Sequence, residues 1–168
     1  MANNIANKLI VNAKTQAEIK NFLSAIAGIE RGETLDIDFE KIAPTPECVS
    51  KDWYDWRISN WGTKWNAYET EIDSCSDGSV EIYFCTANDG AIPIIKKLVE
   101  KYPHLEFIYK FADEVIANNC GEIYGIDGSV SLKFPEDDSD EAVALYIECW
   151  QQEWDNFKKT EYGWDWKD

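Results

Sequence analysis

An α+β fold, with a largely antiparallel sheet and helices packed on one of its faces, is what this sequence predicts. Three observations carry that expectation. Segments of strict apolar and polar alternation recur with turn residues between them, three segments with helical spacing separate them, and no internal repeat is present. The 168 residues suit a single domain over 1–168, and a 45% hydrophobic content with eight Trp supplies a core that needs no covalent staples.

The elements follow in order. Asn4 to Asn12, ending in Leu9-Ile-Val11, reads as a first strand. Thr15 with Glu18 three residues on is a capping box, and Ile19, Phe22, Leu23 and Ile26 share one helical face before Gly28. From 35 to 40 the pattern alternates, Leu35, Ile37 and Phe39 on one side and Asp36, Asp38 and Glu40 on the other, which predicts a half-buried strand ended by Pro44 and Pro46. Residues 41–67 carry Trp53, Trp56, Trp61 and Trp65 without clean periodicity and are expected to be an aromatic loop insertion with short helical turns.

Alternation returns at Tyr68 to Asp73, and Ser76-Asp-Gly-Ser79 joins it to Val80–Phe84 as a hairpin. A helix is expected from about Gly90 to Tyr102, with Pro93 in its first turn and Pro103 after its end. Leu105, Phe107, Tyr109 and Phe111 mark another strand, and 122–125 with 130–134 form an extra C-terminal hairpin around Asp127-Gly128. Residues 136–168 are read as a terminal helix and tail, the helix running from its Ser139 cap through Trp154 and Phe157. This order fits a ferredoxin-like split βαβ core with added strands.

Thirty-two Asp and Glu against 16 Lys and Arg give a formal charge of −16. Such a surface repels phosphate, so direct binding to nucleic acid is not expected. The five cysteines are widely spaced with no C-x-x-C pair and only His104 as an imidazole, so the sequence predicts neither a disulfide framework nor a metal site, and no cofactor. No apolar stretch approaches the length of a membrane span, and the N-terminus lacks a basic segment followed by an apolar run. These features predict a cytoplasmic protein. The motifs G-x-S-x-G, the P-loop and H-E-x-x-H are absent, so no catalytic residue is nominated.

Three stretches, Asn3-Asn-Ile-Ala-Asn-Lys-Leu9, Phe39-Glu-Lys-Ile-Ala-Pro-Thr-Pro-Glu47 and Asn60-Trp-Gly-Thr-Lys-Trp-Asn-Ala67, together resemble the YubB-like family with a ferredoxin-like domain. The resemblance spans roughly the first 70 residues by motif. It implies a ferredoxin-like fold and a setting on phages, conjugative plasmids or integrated elements. Where that family's opening commonly has an aromatic and a cysteine between its asparagines, this chain has Ile5 and Ala6.

Two groups of residues are singled out. Trp61, Gly62, Thr63, Lys64 and Trp65 are read as a structural motif, both indoles buried where the insertion enters the sheet. Asp36, Asp38 and Glu40 would share one strand face and Glu69, Glu71 and Asp73 another. If the two strands were neighbours, six carboxylates would stand on one sheet surface, an arrangement that repels itself and suits a partner with a basic groove. The run Glu136 to Glu141 reads instead as helix capping.

The expected function is that of a non-enzymatic acidic protein of a phage or mobile element that binds and inhibits a basic host protein handling nucleic acid, such as a CRISPR effector or another nuclease. The alternatives are a small-molecule binding or sequestering domain using the aromatic loop and a carboxylate-based, metal-dependent hydrolase.

Overall fold

The computed structural model describes residues 1–49 and 51–167. Ser50, inside the expected insertion, and Asp168, at the end of the expected tail, lie outside the described residues. Six strands form one antiparallel sheet in the order β4-β5-β1-β6-β7-β8: β1 (Asn4–Asn12), β4 (Tyr68–Ser76), β5 (Ser79–Ala87), β6 (Glu106–Asp113), β7 (Cys120–Ile126) and β8 (Ser129–Lys133). With α1 (Gln16–Ile26) and α4 (Ile92–Lys101), the first four strands of that sheet make a βαββαβ core. Its strands lie side by side as second, third, first and fourth, the ferredoxin-like arrangement. Strands β7 and β8 extend it, joined by Asp127 and Gly128, which both take positive φ as a tight hairpin turn requires.

The capping box at Thr15 is present, and Ile19, Phe22 and Ile26 of α1 join Ile94, Ile95, Leu98 and Val99 of α4 over Leu9, Val11, Ile82, Phe107 and Tyr109. That is the main core. The fifth helix, α5 (Asp140–Cys149), packs on the opposite face over Ala6, Ala112 and Cys120. The α+β class therefore holds, while helices stand on both faces rather than one. Small side chains on that second face leave room for α5 to sit close.

Two expected elements are corrected. Residues 35–40 are not a core strand: only β3 (Glu33–Leu35) is extended, pairing with β2 (Gly28–Glu30) in a separate ribbon, and α2 (Phe39–Ile42) follows. The alternation misled because Leu35, Ile37 and Phe39 are indeed buried. Asp38, however, is buried too and caps α2, accepting from Glu40 N at 3.0 Å. The place of second core strand is taken by β4, whose hairpin with β5 supplies local pairing. The terminal helix stops at Cys149, not Phe157. Gln151 turns to a positive φ, a 3-10 turn (Trp154–Asn156) follows, and β9 (Phe157–Thr160) pairs with β10 (Gly163–Trp166).

The segment expected as an aromatic loop holds a 3-10 turn (Glu47–Val49) and a nine-residue helix, α3 (Trp53–Trp61), ended by Gly62 in the left-handed region. Among the described residues no helix is long and apolar enough to cross a membrane.

Candidate interaction surface

The six carboxylates separate into two groups of three. On the insertion side, Asp38 Oδ1 accepts from Asn66 Nδ2 at 2.8 Å, and Asn66 Oδ1 in turn accepts from the backbone N–H groups of Phe39 and Ala67. Glu40 pairs with Arg57 at 3.0 Å and receives both the N–H and the hydroxyl of Thr45. Asp36 is half-buried, and its N–H donates to Thr70 Oγ1. These contacts knit the insertion to itself and to β4, so Asp36, Asp38 and Glu40 do not share a face with the others. Every one of them bridges residues that composition and alternation could not bring together.

Glu69, Glu71 and Asp73 are exposed on β4, the edge of the sheet. Two bulges interrupt the pairing of β4 with β5, one of them at Glu69, whose φ is positive. Bulges and charge on an edge strand oppose uncontrolled strand pairing. Beside Glu69 the Cys85 thiol donates to its carboxylate at 3.6 Å. Burial first, and then the Glu69 charge, push that thiol up to about 12, so it stays protonated and unreactive.

Further acidic residues stand on the same side of the sheet as α5. Opposite one another by register lie Glu71 with Tyr83, Tyr83 with Lys8, Lys8 with Lys110, and Lys110 with Glu122. Glu81, two residues before Tyr83 on the same strand, faces the same way. Lys8 pairs with Glu81 at 2.9 Å and Glu148 at 3.1 Å, and Lys110 with Glu148 at 2.6 Å. Burial works against ionisation of Glu148, but the two lysines outweigh it and hold its carboxyl below the usual range. Glu106 accepts from Tyr124 Oη and from Asn12 Nδ2, each at 2.7 Å, and the tyrosine bond above all keeps its carboxyl ionised. In the sequence Glu81 and Glu106 do not stand out, since each alternates with a core residue and resembles any solvated strand position. No signal in the sequence marks them, because the pairing of Tyr83 with Lys8 is set by strand register.

The aromatic motif also divides. Trp61 is fully buried, donates Nε1–H to Ala43 O at 2.8 Å, and meets Phe39 edge-on at 5.8 Å and the Arg57 guanidinium at 4.3 Å. Gly62 allows α3 to end against α4, where an added Cβ would lie 2.7 Å from Gly90 O. The buried Thr63 hydroxyl donates to Ala87 O and accepts Ala87 N–H, tying the motif to the end of β5. Trp65 departs from the expectation: it is 47% exposed, with Lys64 Nζ 4.4 Å from its ring centre. Its ring forms a wall of an open groove of about 800 Å³ between β3 and β4, together with Arg31, Arg57 and Tyr68.

Residues 64–162, from the middle of this motif to the tip of the β9–β10 hairpin, match the family model described as the ferredoxin-like domain in Api92-like protein. The chain belongs to this family. The Api92-like match takes in β4, β5, α4, β6, β7, β8 and α5, hence the acidic edge, most of the sheet and the helix on its second face. It leaves out β1, α1 and nearly all of the insertion, which is where the YubB-like resemblance of the opening residues was concentrated. No curated protein and no solved structure matches the chain. Among the described residues no three His, Cys, Asp or Glu side chains converge in a way that could hold a metal ion.

Proposed function

We propose that this protein acts by binding a basic surface of a protein partner, with the setting of a phage or mobile element and the inhibition of a nucleic-acid-handling defence protein as its biological context. The observation that carries the reading is the trio of exposed carboxylates Glu69, Glu71 and Asp73 on the edge strand, of which Glu71 by register adjoins the side of the sheet where the lysines are already neutralised by Glu81 and Glu148. An acidic surface free of competing cations attracts a basic partner and raises its association rate. It equally repels phosphate, so the protein would compete with nucleic acid for that partner rather than bind nucleic acid itself. The YubB-like resemblance supports the mobile-element setting, and the −16 charge supports the basic partner.

The test compares two triple variants that change net charge equally. Reversing Glu69, Glu71 and Asp73 to Lys is expected to abolish capture of a basic partner from lysate of a plasmid-bearing host. Reversing the exposed Glu136, Glu153 and Glu161 is expected to leave capture nearly intact. A general loss of long-range attraction would weaken both alike and would defeat the reading, as would capture by the first variant at the level of the unmodified protein.

The groove beside Trp65 supports a second reading, a small-molecule site walled by the aromatic insertion. Its size falls within the range of ligand pockets, although it is open and mixed in charge. A ligand held there would raise the melting temperature of the protein and lose that effect in Trp65→Ala.

A further inference from the structure

Helix α5 covers only part of its side of the sheet. It packs over Ala6, Ala112 and Cys120, and its last turn reaches Lys8 and Lys110 through Glu148. Beyond that point a row of side chains continues across five strands: by register, Glu81, Ile10, Ile108, Tyr124 and Ser131 stand opposite one another in turn. The adjoining row holds Ser79, Asn12 and Glu106. Ile10 and Ile108 keep part of their surface in solvent, and Tyr124 is 41% exposed. A strip with an apolar centre therefore lies beside α5, with Glu81 at one end and Glu106 along its flank.

We infer that this strip is the seat of a basic amphipathic helix presented by the partner, lying next to α5 on the sheet. The inference rests on the acidic-surface reading above and adds where the partner's chain lies and what it presents. Four strand spacings of about 4.8 Å give the strip a length of about 19 Å. A helix of about 13 residues, rising 1.5 Å per residue, spans it. The apolar face of such a helix, repeating at i, i+3, i+4 and i+7, covers Ile10, Ile108 and the Tyr124 ring.

The flanks select the charge. Glu106 is held ionised by Tyr124 and Asn12, and it has no lysine or arginine among its described ion-pair partners. Lys8 and Lys110 are balanced by Glu81 and Glu148, so the charge an incoming helix meets is set by Glu106 and is negative. Cationic side chains along the edges of the helix answer that charge, and acidic ones are excluded. A second copy of this chain, itself carrying −16, would bring carboxylates against carboxylates.

The probe is a synthetic 14-residue peptide of leucine and lysine, with leucine at the helical i, i+3, i+4 and i+7 positions, titrated into the full chain by amide-resolved NMR and calorimetry. Shift changes are expected to concentrate at Ile10, Glu106, Ile108 and Tyr124. Ile108→Lys is expected to weaken binding at least tenfold. Ile29→Lys makes the same chemical change at a β2 residue that is 74% exposed, and is expected to alter binding less than twofold. Mapping on the unmodified protein keeps the test independent of whether Ile108→Lys folds. No binding at low salt, shift changes centred elsewhere, or equal weakening by the two variants would overturn the helix seat. The acidic-surface reading stands or falls separately, on the capture experiment with the β4 variants.

Discussion

Trp61→Ala is expected to lower stability by about 3–5 kcal/mol, the cost of deleting a fully buried large aromatic side chain. Three losses combine. The indole packs edge-on against Phe39 and Trp56, its N–H is the donor to Ala43 O, and its face carries the Arg57 guanidinium that also pairs with Glu40. Removing it leaves a cavity and releases the arginine that joins α3 to Glu40 of α2. Trp65→Ala, four residues on and 47% exposed, is expected to change stability by only about 0.5 kcal/mol. Chemical denaturation of both variants checks the contrast, with the midpoint shifted strongly for Trp61→Ala and little for Trp65→Ala. Similar midpoints would mean that the motif acts as one exposed or one buried unit, contrary to the packing described.

Asn7→Ala is expected to cost about 3 kcal/mol, although it removes only one small side chain from the first strand. Asn7 is fully buried among apolar residues, where its amide nitrogen donates to Ile5 O, Phe84 O and Thr86 Oγ1. Its oxygen accepts the hydroxyl of Tyr109 at 2.6 Å, and that hydroxyl accepts the N–H of Ala91 at the start of α4. Burial pushes the phenol far above its ordinary range, so Tyr109 remains a donor to Asn7 at any working pH. The network thus fastens β1, β5, β6 and the entry of α4 together at one end of the sheet. A buried polar group left unsatisfied costs about 1–3 kcal/mol, and the alanine takes from the Tyr109 hydroxyl its acceptor. Tyr109→Phe, which removes the hydroxyl but keeps the ring, is expected to cost less. Thermal and denaturant unfolding of the two variants measure the order, and a smaller loss for Asn7→Ala than for Tyr109→Phe would contradict the network.

The asparagine-rich opening shows how a motif can be visible before its reason is. Asn3, Asn4 and Asn7 stand out in the sequence, yet only the fold reveals that Asn7 lies inside and that Asn3 donates to the buried carboxylate of Asp113. Likewise the alternation from 35 to 40 located three buried apolar side chains correctly and assigned them to the wrong element. Alternation reports which side chains leave solvent. It does not report whether the backbone between them finds a neighbouring strand, and here the Asp38 carboxylate caps a helix instead.

By itself the sequence determined the α+β class, the acidic charge, the capping box at Thr15, both tight hairpins, the helix over Pro93 and the exposed carboxylates of β4, because each follows from local spacing or composition. Tertiary structure alone decided that α5 crosses to the far face, that Glu81 and Glu106 rather than Asp36, Asp38 and Glu40 join the acidic side of the sheet, and that Trp61 and Trp65 part company. Those outcomes depend on strand register and on contacts between residues far apart in the chain, such as Glu148 with Lys8, and no local pattern encodes them. The face a strand residue occupies is set by its neighbours on both sides, so charge became a surface only when β5, β1 and β6 were laid edge to edge.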